Sequence, residues 1–386
     1  MTTAAAGVAT KEERQMRGIL TRLVLALAVL AALVVAGCGS SSGGGTGTTG
    51  GSGGGKSVRV ALVETGPKDD GGWNSNFLRA MGQMDRLAPG AQTTIVADVN
   101  PGSQGQTTLD TLATQGYDLV VSNGIFASDV AKVAPRHPDT KFLTAYDNVA
   151  RDNRSAYATA DEQGGYLIGM LAGMSTRSGT IGYVGNYAQP GSQRVLDGIM
   201  LGARAVRRDA IIKRLLVNSY YDPTKERQAA SALADDGADV LIQDNASPAS
   251  ASVAEQRGLK YVGWSNDRRQ QAPRAWLGGF TYEWAPIIAN AANAIADGTW
   301  KPENVHLGLE RGAISLLPFG TDVPKDVQAK VEQARKQLAS GDLHVFTGPI
   351  TDATGRVVVA DGETIETPAA LNSCCSWVVQ GIQGQG

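Results

Sequence analysis

Three histidines and three cysteines are all that 386 residues contain. His137, His306 and His344 are far apart and lack ligand-like spacing, so a metal cluster or a His-dependent triad finds little support. No G-x-S-x-G elbow is present. Net charge is also small: 35 basic against 37 acidic residues give -2, with no electrostatic footprint for nucleic acid. The apolar run Leu23 to Ala36 falls short of the roughly 20 residues a spanning helix needs. Cys374 and Cys375 are neighbours, and a bridge between neighbours is strained. Two buried free thiols, or a pair oxidised outside the cell, both remain open, and neither points to catalysis. Aromatics are scarce at 6%, so one placed on a polar loop asks for a reason.

Two glycine-rich matches carry less than their patterns suggest. "GGSGGGKS", Gly50 to Ser57, satisfies G-x-x-x-x-G-K-[ST], but it follows a Gly tract and precedes an expected strand. A phosphate-binding loop must instead follow a strand and open a helix, so the match is rejected. "GTIGYVG", Gly179 to Gly185, lacks the dinucleotide spacing and reads as tight packing of a strand and its turn.

The N-terminus reads as an export signal. Lys11, Arg14, Arg17 and Arg22 precede the apolar run, which ends in "VVAGC", Val34 to Cys38. This resembles the bacterial lipobox, in which Cys38 becomes the lipidated first residue of the mature protein. Met16 is a second candidate start, closer to the apolar run than Met1. Residues 1–38 are thus expected to be a lipoprotein signal peptide and 39–56 a tether. Gly39 to Gly55 holds only Gly, Ser and Thr. Such a segment buries no apolar surface and spans roughly 20–25 Å root-mean-square. The expectation is a body anchored by lipid to the extracytoplasmic face of the cell membrane.

From Lys56 onward, short apolar strands alternate with helical stretches. Strands are expected at Val58–Val63, Thr94–Ala97, Leu119–Ser122 and Phe142–Ala145, with helices at Asn74–Leu87, Gln104–Gln115 and Ala127–Ala134. The rhythm repeats with strands Thr180–Val184, Ile211–Val217, Asp239–Gln243 and Lys260–Trp264. Helices Gln163–Ser175, Gly191–Arg207, Thr224–Asp236 and Pro248–Arg257 alternate with them. Continuous apolar strands separated by helices predict parallel sheets covered on both faces. "LATQGYDLVVSN" from Leu112 and "LADDGADVLIQD" from Leu233 share a helix end, a Gly stop, an Asp and a buried strand. Two similar α/β lobes follow, with ligands expected beyond the carboxyl ends of the strands.

The loops at those ends carry recognition chemistry. The first holds Glu64, Asp69, Asp70, Trp73 and Asn74; "NSYYDP" holds Tyr220, Tyr221 and Asp222; "WSND" holds Trp264 and Asp267. Aromatics from opposite lobes, with carboxylates and an amide nearby, suit a flat ring bearing N–H donors. Tyr221 and Trp264 have a plain alternative as packing for a lobe core. Trp73 has less of one, because the loop around it is so polar.

These stretches resemble the basic membrane protein (BMP) family. Its members are lipoprotein substrate-binding components of ABC importers, related to bacterial purine nucleoside receptors. The resemblance rests on "GPKDDGGW", "YLIGMLAG", "GTIGYVGN", "NSYYDPTKERQAASALADDGADVLIQ", "DGTW" and "FTGPITDATGRVVVADGETI", and it spans the chain from about Val58 onward. The last stretch, with "WVVQGIQG" at Trp377 to Gly384, resembles the branch associated with free purine bases. The resemblance implies a type I periplasmic-binding-protein fold: two doubly wound parallel-sheet lobes joined by three crossovers and closing on a ligand. It places crossovers near Ala156–Ala160, Pro273–Leu277 and Gly312–Leu317. Lobe 1 is then 57–158 and 276–314, and lobe 2 is 159–275 and 315–386. By position, Trp73 and Tyr220 match the pair that sandwiches the base, with Tyr221 as a neighbouring substitute. Asp70 and Asn74 lie in the matching first loop, Asp267 matches an acidic hinge-side residue, and Glu64 stands where nucleoside receptors place an Asp. Two departures point to a free base rather than a nucleoside: Ser265 replaces a usual Asp, and Tyr282 replaces a Lys that helps hold ribose. Gln163 replaces a common Glu.

The expected function is therefore binding without catalysis: a monomeric, membrane-anchored protein that captures a purine and passes it to a permease with ATPase subunits. No cofactor or nucleic acid is expected. A purine-sensing receptor subunit is the alternative. An extracellular nucleoside-processing enzyme is a weaker one, since Asp69 and Asp70 read as a solvated acidic turn.

Overall fold

The computed structural model describes residues 57–365 and 377–384. Cys38, the residues before the fold and the Cys374–Cys375 pair lie outside them. The first lobe begins with β1 (Arg59–Val63), α1 (Trp73–Met81), α2 (Met84–Leu87), β2 (Gln92–Val96) and α3 (Ser103–Thr114). It continues through β3 (Leu119–Ser122), α4 (Ala127–Val133), β4 (Lys141–Ala145) and β5 (Arg154–Thr159). The chain then crosses at Ala160 into α5 (Asp161–Ser175), β6 (Thr180–Gly185), α6 (Pro190–Val206), β7 (Ile211–Leu216) and α7 (Pro223–Asp235). After these come β8 (Val240–Gln243), α8 (Ala249–Arg257), β9 (Lys260–Trp264) and β10 (Trp276–Tyr282). It returns to the first lobe for α9 (Ala285–Ala296) and β11 (Asn304–Leu307), and ends in the second with β12 (Ile314–Leu317) and α10 (Lys325–Ser340). A hairpin, β13 (Ile350–Thr351) with β14 (Val357–Val359), and the edge strand β15 (Ile382–Gln383) follow.

The first sheet runs β11-β5-β4-β3-β1-β2 and is parallel throughout. The second runs β12-β10-β9-β8-β6-β7-β15, with only β12 antiparallel. Val60, Leu62, Leu119 and Val121 of the first sheet and Val240 and Ile242 of the second are fully buried. These apolar runs exist because helices cover both faces. This is the type I periplasmic-binding-protein architecture.

Helices α5 and α6 pack unusually closely. A Cβ on Gly169 would lie 2.1 Å from the Ile199 carbonyl, and one on Gly202 would lie 2.0 Å from that of Tyr166. The glycines of "YLIGMLAG" are therefore a packing requirement, and they bring the first turns of α5 and α6 together at the lobe boundary.

Two expectations need correction. The helix expected over Asn74–Leu87 is two, broken at Gly82 and Gln83. The stretch from Trp276 was assigned to lobe 1, but β10 pairs with β9 of the second sheet, with Phe280 opposite Trp264. The middle crossing thus falls after Tyr282, where Glu283 and Trp284 lead into α9. The third lies between β11 and β12.

Candidate functional site

A cavity of about 670 Å³ lies between the lobes, lined by the loops that leave β1, β3, β4, β6, β7, β8 and β9 at their carboxyl ends. Its size and placement are those of a small-molecule site. Tyr146 and Ser265, the first residues after β4 and β9, both line it with positive φ, 55° and 72°. A non-glycine residue held in this conformation costs energy and persists only where its surroundings fix it.

An aromatic wall forms from Phe77 and Trp284 of the first lobe and Tyr282 of β10 in the second. Phe77 and Trp284 stack at 5.1 Å, and Trp284 and Tyr282 stack at 5.0 Å. Trp73 backs onto this ladder, with ring centroids 5.3 Å from Tyr282, 5.3 Å from Trp284, 5.7 Å from Phe77 and 5.8 Å from Tyr146. Trp73 opens α1, so the polar loop before it and the buried ladder behind it hold its ring at the cavity. From the second lobe, half-exposed Tyr220 reaches the cavity with its ring 4.8 Å from that of Tyr187.

Carboxylates make up the floor. Asp161 accepts from the Tyr146 hydroxyl at 2.6 Å and from the Thr159 hydroxyl, and Arg194 stands 3.9 Å away. Arg194 also pairs with Glu162 at 3.2 Å. Burial raises the Asp161 pKa, and the Arg194 charge opposes that rise. Asp244, first after β8, accepts from Ser192 at 2.7 Å, Asn186 at 3.0 Å and Tyr183 at 3.3 Å. Burial pushes Asp244 up to about 7, with those hydroxyls and amide pulling down and Asp161 pushing up.

A seam of hydrogen bonds also joins the lobes. Arg268 donates to the Gly71 carbonyl at 2.7 Å and also to that of Ala246. Asn76 donates to the Ser265 hydroxyl at 2.7 Å, and Arg79 to the Tyr282 carbonyl at 2.6 Å.

Of the residues singled out from sequence, Asp70, Trp73, Asn74, Tyr220 and Tyr282 line the cavity. Asp70 also meets the free N–H groups of the first turn of α1, at 2.7 Å from Gly72 and 3.2 Å from Ser75. Asn74 ties the loop by donating to the carbonyls of Thr65 at 2.7 Å and Pro67 at 2.9 Å. Tyr282, from β10, accepts from the Trp264 indole N–H at 2.9 Å.

Four others stand outside the lining. Glu64 is 1% exposed, with neither carboxyl oxygen hydrogen-bonded; burial first, then Asp70, pushes its pKa up to about 9. Its backbone still pairs across to the β2 side, through Val96 and Val99, which keeps the side chain inside the lobe. Tyr221 points to solvent, 56% exposed. Asp222 caps α7, accepting from the Lys225 N–H at 3.0 Å. Asp267 is clamped by the Arg269 guanidinium at 2.9 Å. Sequence reasoning missed Asn123, Tyr146, Asn186 and Asp244, each the first residue after a strand, and Asp161 and Arg194 on the two close-packed helices. Strand position alone would have found the first four.

Among the described residues, no cluster of three His, Cys, Asp or Glu could hold a metal, and no helix is long and apolar enough to cross a membrane. A sequence model of the ABC transporter substrate-binding protein PnrA-like family matches residues 57–342. The chain belongs to this family. A purine-binding protein of Brucella abortus is 32% identical over 318 residues, covering 82% of this chain and 91% of its own. A Haloferax volcanii protein, provisionally named an ABC transporter glucose-binding protein, is 29% identical and covers 76% of this chain and 75% of its own. The solved structure of an ABC transporter solute-binding protein from Conexibacter woesei is 26% identical. It has a TM-score of 0.65 over 74% of this chain and 98% of its own. This family member is an ABC-transporter-type solute-binding protein, a binder rather than an enzyme, and its class works with permease and ATPase subunits.

Proposed function

We propose that this family member captures a purine between its lobes, preferring the free base to the nucleoside, and hands it to a permease. The observation that carries the reading is the pairing of an aromatic wall with a hydrogen-bonding floor: Trp73 backed by four rings, and Asp161 and Asp244 beyond it. A planar, N–H-bearing ring stacks on the first and bonds to the second. Trp73 and Tyr220 are the stacking residues in this reading, with Asp70 and Asn74 shaping the loop that presents Trp73. Glu64, Tyr221, Asp222 and Asp267 act only indirectly, through the frame. Preference for the base rests on Tyr282, which sets an aromatic ring rather than an ammonium beside the cavity. The purine-binding Brucella relative supports the ligand class.

Closure follows as a population shift, because the ligand touches both lobes only when they are shut. Lipidation at Cys38 and a tether over 39–56 would hold the domain beside its permease. Extraction of the protein as purified from cells, followed by mass spectrometry of the released small molecule, tests the ligand class. A purine is expected; a sugar as the sole species recovered would overturn the reading.

A further inference from the structure

The cavity has acceptors left over and few amide donors to spare. The three donors to the Asp244 carboxylate, Ser192, Asn186 and Tyr183, all reach Oδ2. Oδ1 of the same group receives none among the described residues, on a side chain that lines the cavity. The next residue, Asn245, is 7% exposed and donates its Nδ2 to the Ser219 carbonyl at 2.6 Å. That bond fixes the amide and leaves its buried Oδ1 without a partner. Asn123, in the opposite lobe, also has a buried amide oxygen without a partner.

Several of the cavity's amide donors, by contrast, are committed within the protein. Asn74 gives its amide N–H groups to Thr65 and Pro67, Asn186 to Asp244, and Gln189 to Asn186 and Ser192. Buried acceptors left unpaired are costly, and in a binding site they mark where ligand donors belong.

Resting on the purine reading above, we propose that the ligand is an aminopurine, recognised by Asp244 Oδ1 and Asn245 Oδ1 through its exocyclic amine and ring N–H groups. A ring carbonyl in place of the amine would set oxygen against carboxylate oxygen. A site built to bond an N–H rejects the analogue that lacks it. Asp161, Tyr183, Tyr220 and Tyr282 are the other titratable groups facing Asp244. Protonation of Asp244 turns an acceptor into a donor, so affinity for the amine falls as pH drops below about 7.

Calorimetry of the refolded protein against two matched pairs tests this: adenine with hypoxanthine, and guanine with xanthine. In at least one pair the amino member should bind at least tenfold more tightly. Asp244→Asn should narrow or reverse that preference, because the new amide must turn its oxygen to Ser192, Asn186 and Tyr183 and its NH₂ to the ligand. Thermal melting checks that the variant folds. If it does not, the native protein between pH 8 and pH 5.5 decides, with loss of affinity expected for the amino member alone. A preference for the amino member below tenfold in both pairs would overturn the inference, as would a folded variant with its preference intact. Both outcomes would leave purine binding standing. Silence across all four bases would sink the purine reading and this inference with it.

Discussion

Replacing Trp73 by Ala separates ligand binding from packing, because this indole lines the cavity while four other rings pack against it. Stacking of a base on an aromatic is worth about 1–3 kcal/mol. At 1.4 kcal/mol per factor of ten, affinity should fall about 5- to 150-fold. The ladder behind Trp73 survives the change, since Trp284 stacks on Phe77 at 5.1 Å and on Tyr282 at 5.0 Å. Fold stability should therefore drop by less than the about 3–5 kcal/mol expected for Trp284→Ala, whose side chain is fully buried. Trp73→Phe keeps a stacking face and should recover most of the lost affinity. Titration calorimetry with parallel urea denaturation gives both quantities for the three variants. Unchanged affinity in Trp73→Ala would remove Trp73 from the site, and a loss matched only by unfolding would make it a core residue.

Gly72→Ala would place a methyl 2.6 Å from the Cβ of Ala246 across the seam, so closure should be penalised by the about 1–3 kcal/mol typical of overpacking. Weaker binding with a larger radius of gyration in solution scattering is expected; unchanged affinity would show that the seam is not part of the closed state. Glu64 gives a pH signature. Its folded pKa, about 9, lies above the unfolded value, so the native state holds the extra proton between about pH 4.5 and 9. The Glu64 contribution is thus fully present below pH 4.5 and is lost as pH rises toward 9. Glu64→Gln should flatten the decline and gain stability at pH 8 relative to pH 5, by a few kcal/mol at most. Parallel denaturation curves for mutant and parent at both pH values would contradict this.

Much of the frame was legible because strands covered on both faces leave unbroken apolar runs. The strands from Leu119 and Lys260 fall on the expected residues. The loop around Trp73 was legible for a different reason: Gly, Pro and Asp cannot bury an indole, so its partners had to come from elsewhere. Single residues were harder to place. Tyr220 and Tyr221 are indistinguishable in "NSYYDP", yet one reaches the cavity and its neighbour faces solvent. Asp222 and Asp267 read as recognition carboxylates and turn out to be held by a helix N-terminus and an arginine. The reverse error hid Asp161 and Asp244, which in sequence look like ordinary acids at a helix start and a strand end. Only the approach of α5 to α6 and the clustering of the strand ends give them a shared cavity. The middle crossing was misplaced because a strand that changes lobes at its far end leaves no mark in composition.

The central claim is that the cavity takes a purine base. Its most direct test is titration of the protein, unfolded and refolded to strip carried ligand, with purine bases, their nucleosides and glucose. The account predicts micromolar or tighter binding of a base, about -8 kcal/mol or better, with nucleosides weaker. Tighter nucleoside binding would overturn the meaning given to Tyr282. Binding of glucose alone would contradict the claim itself.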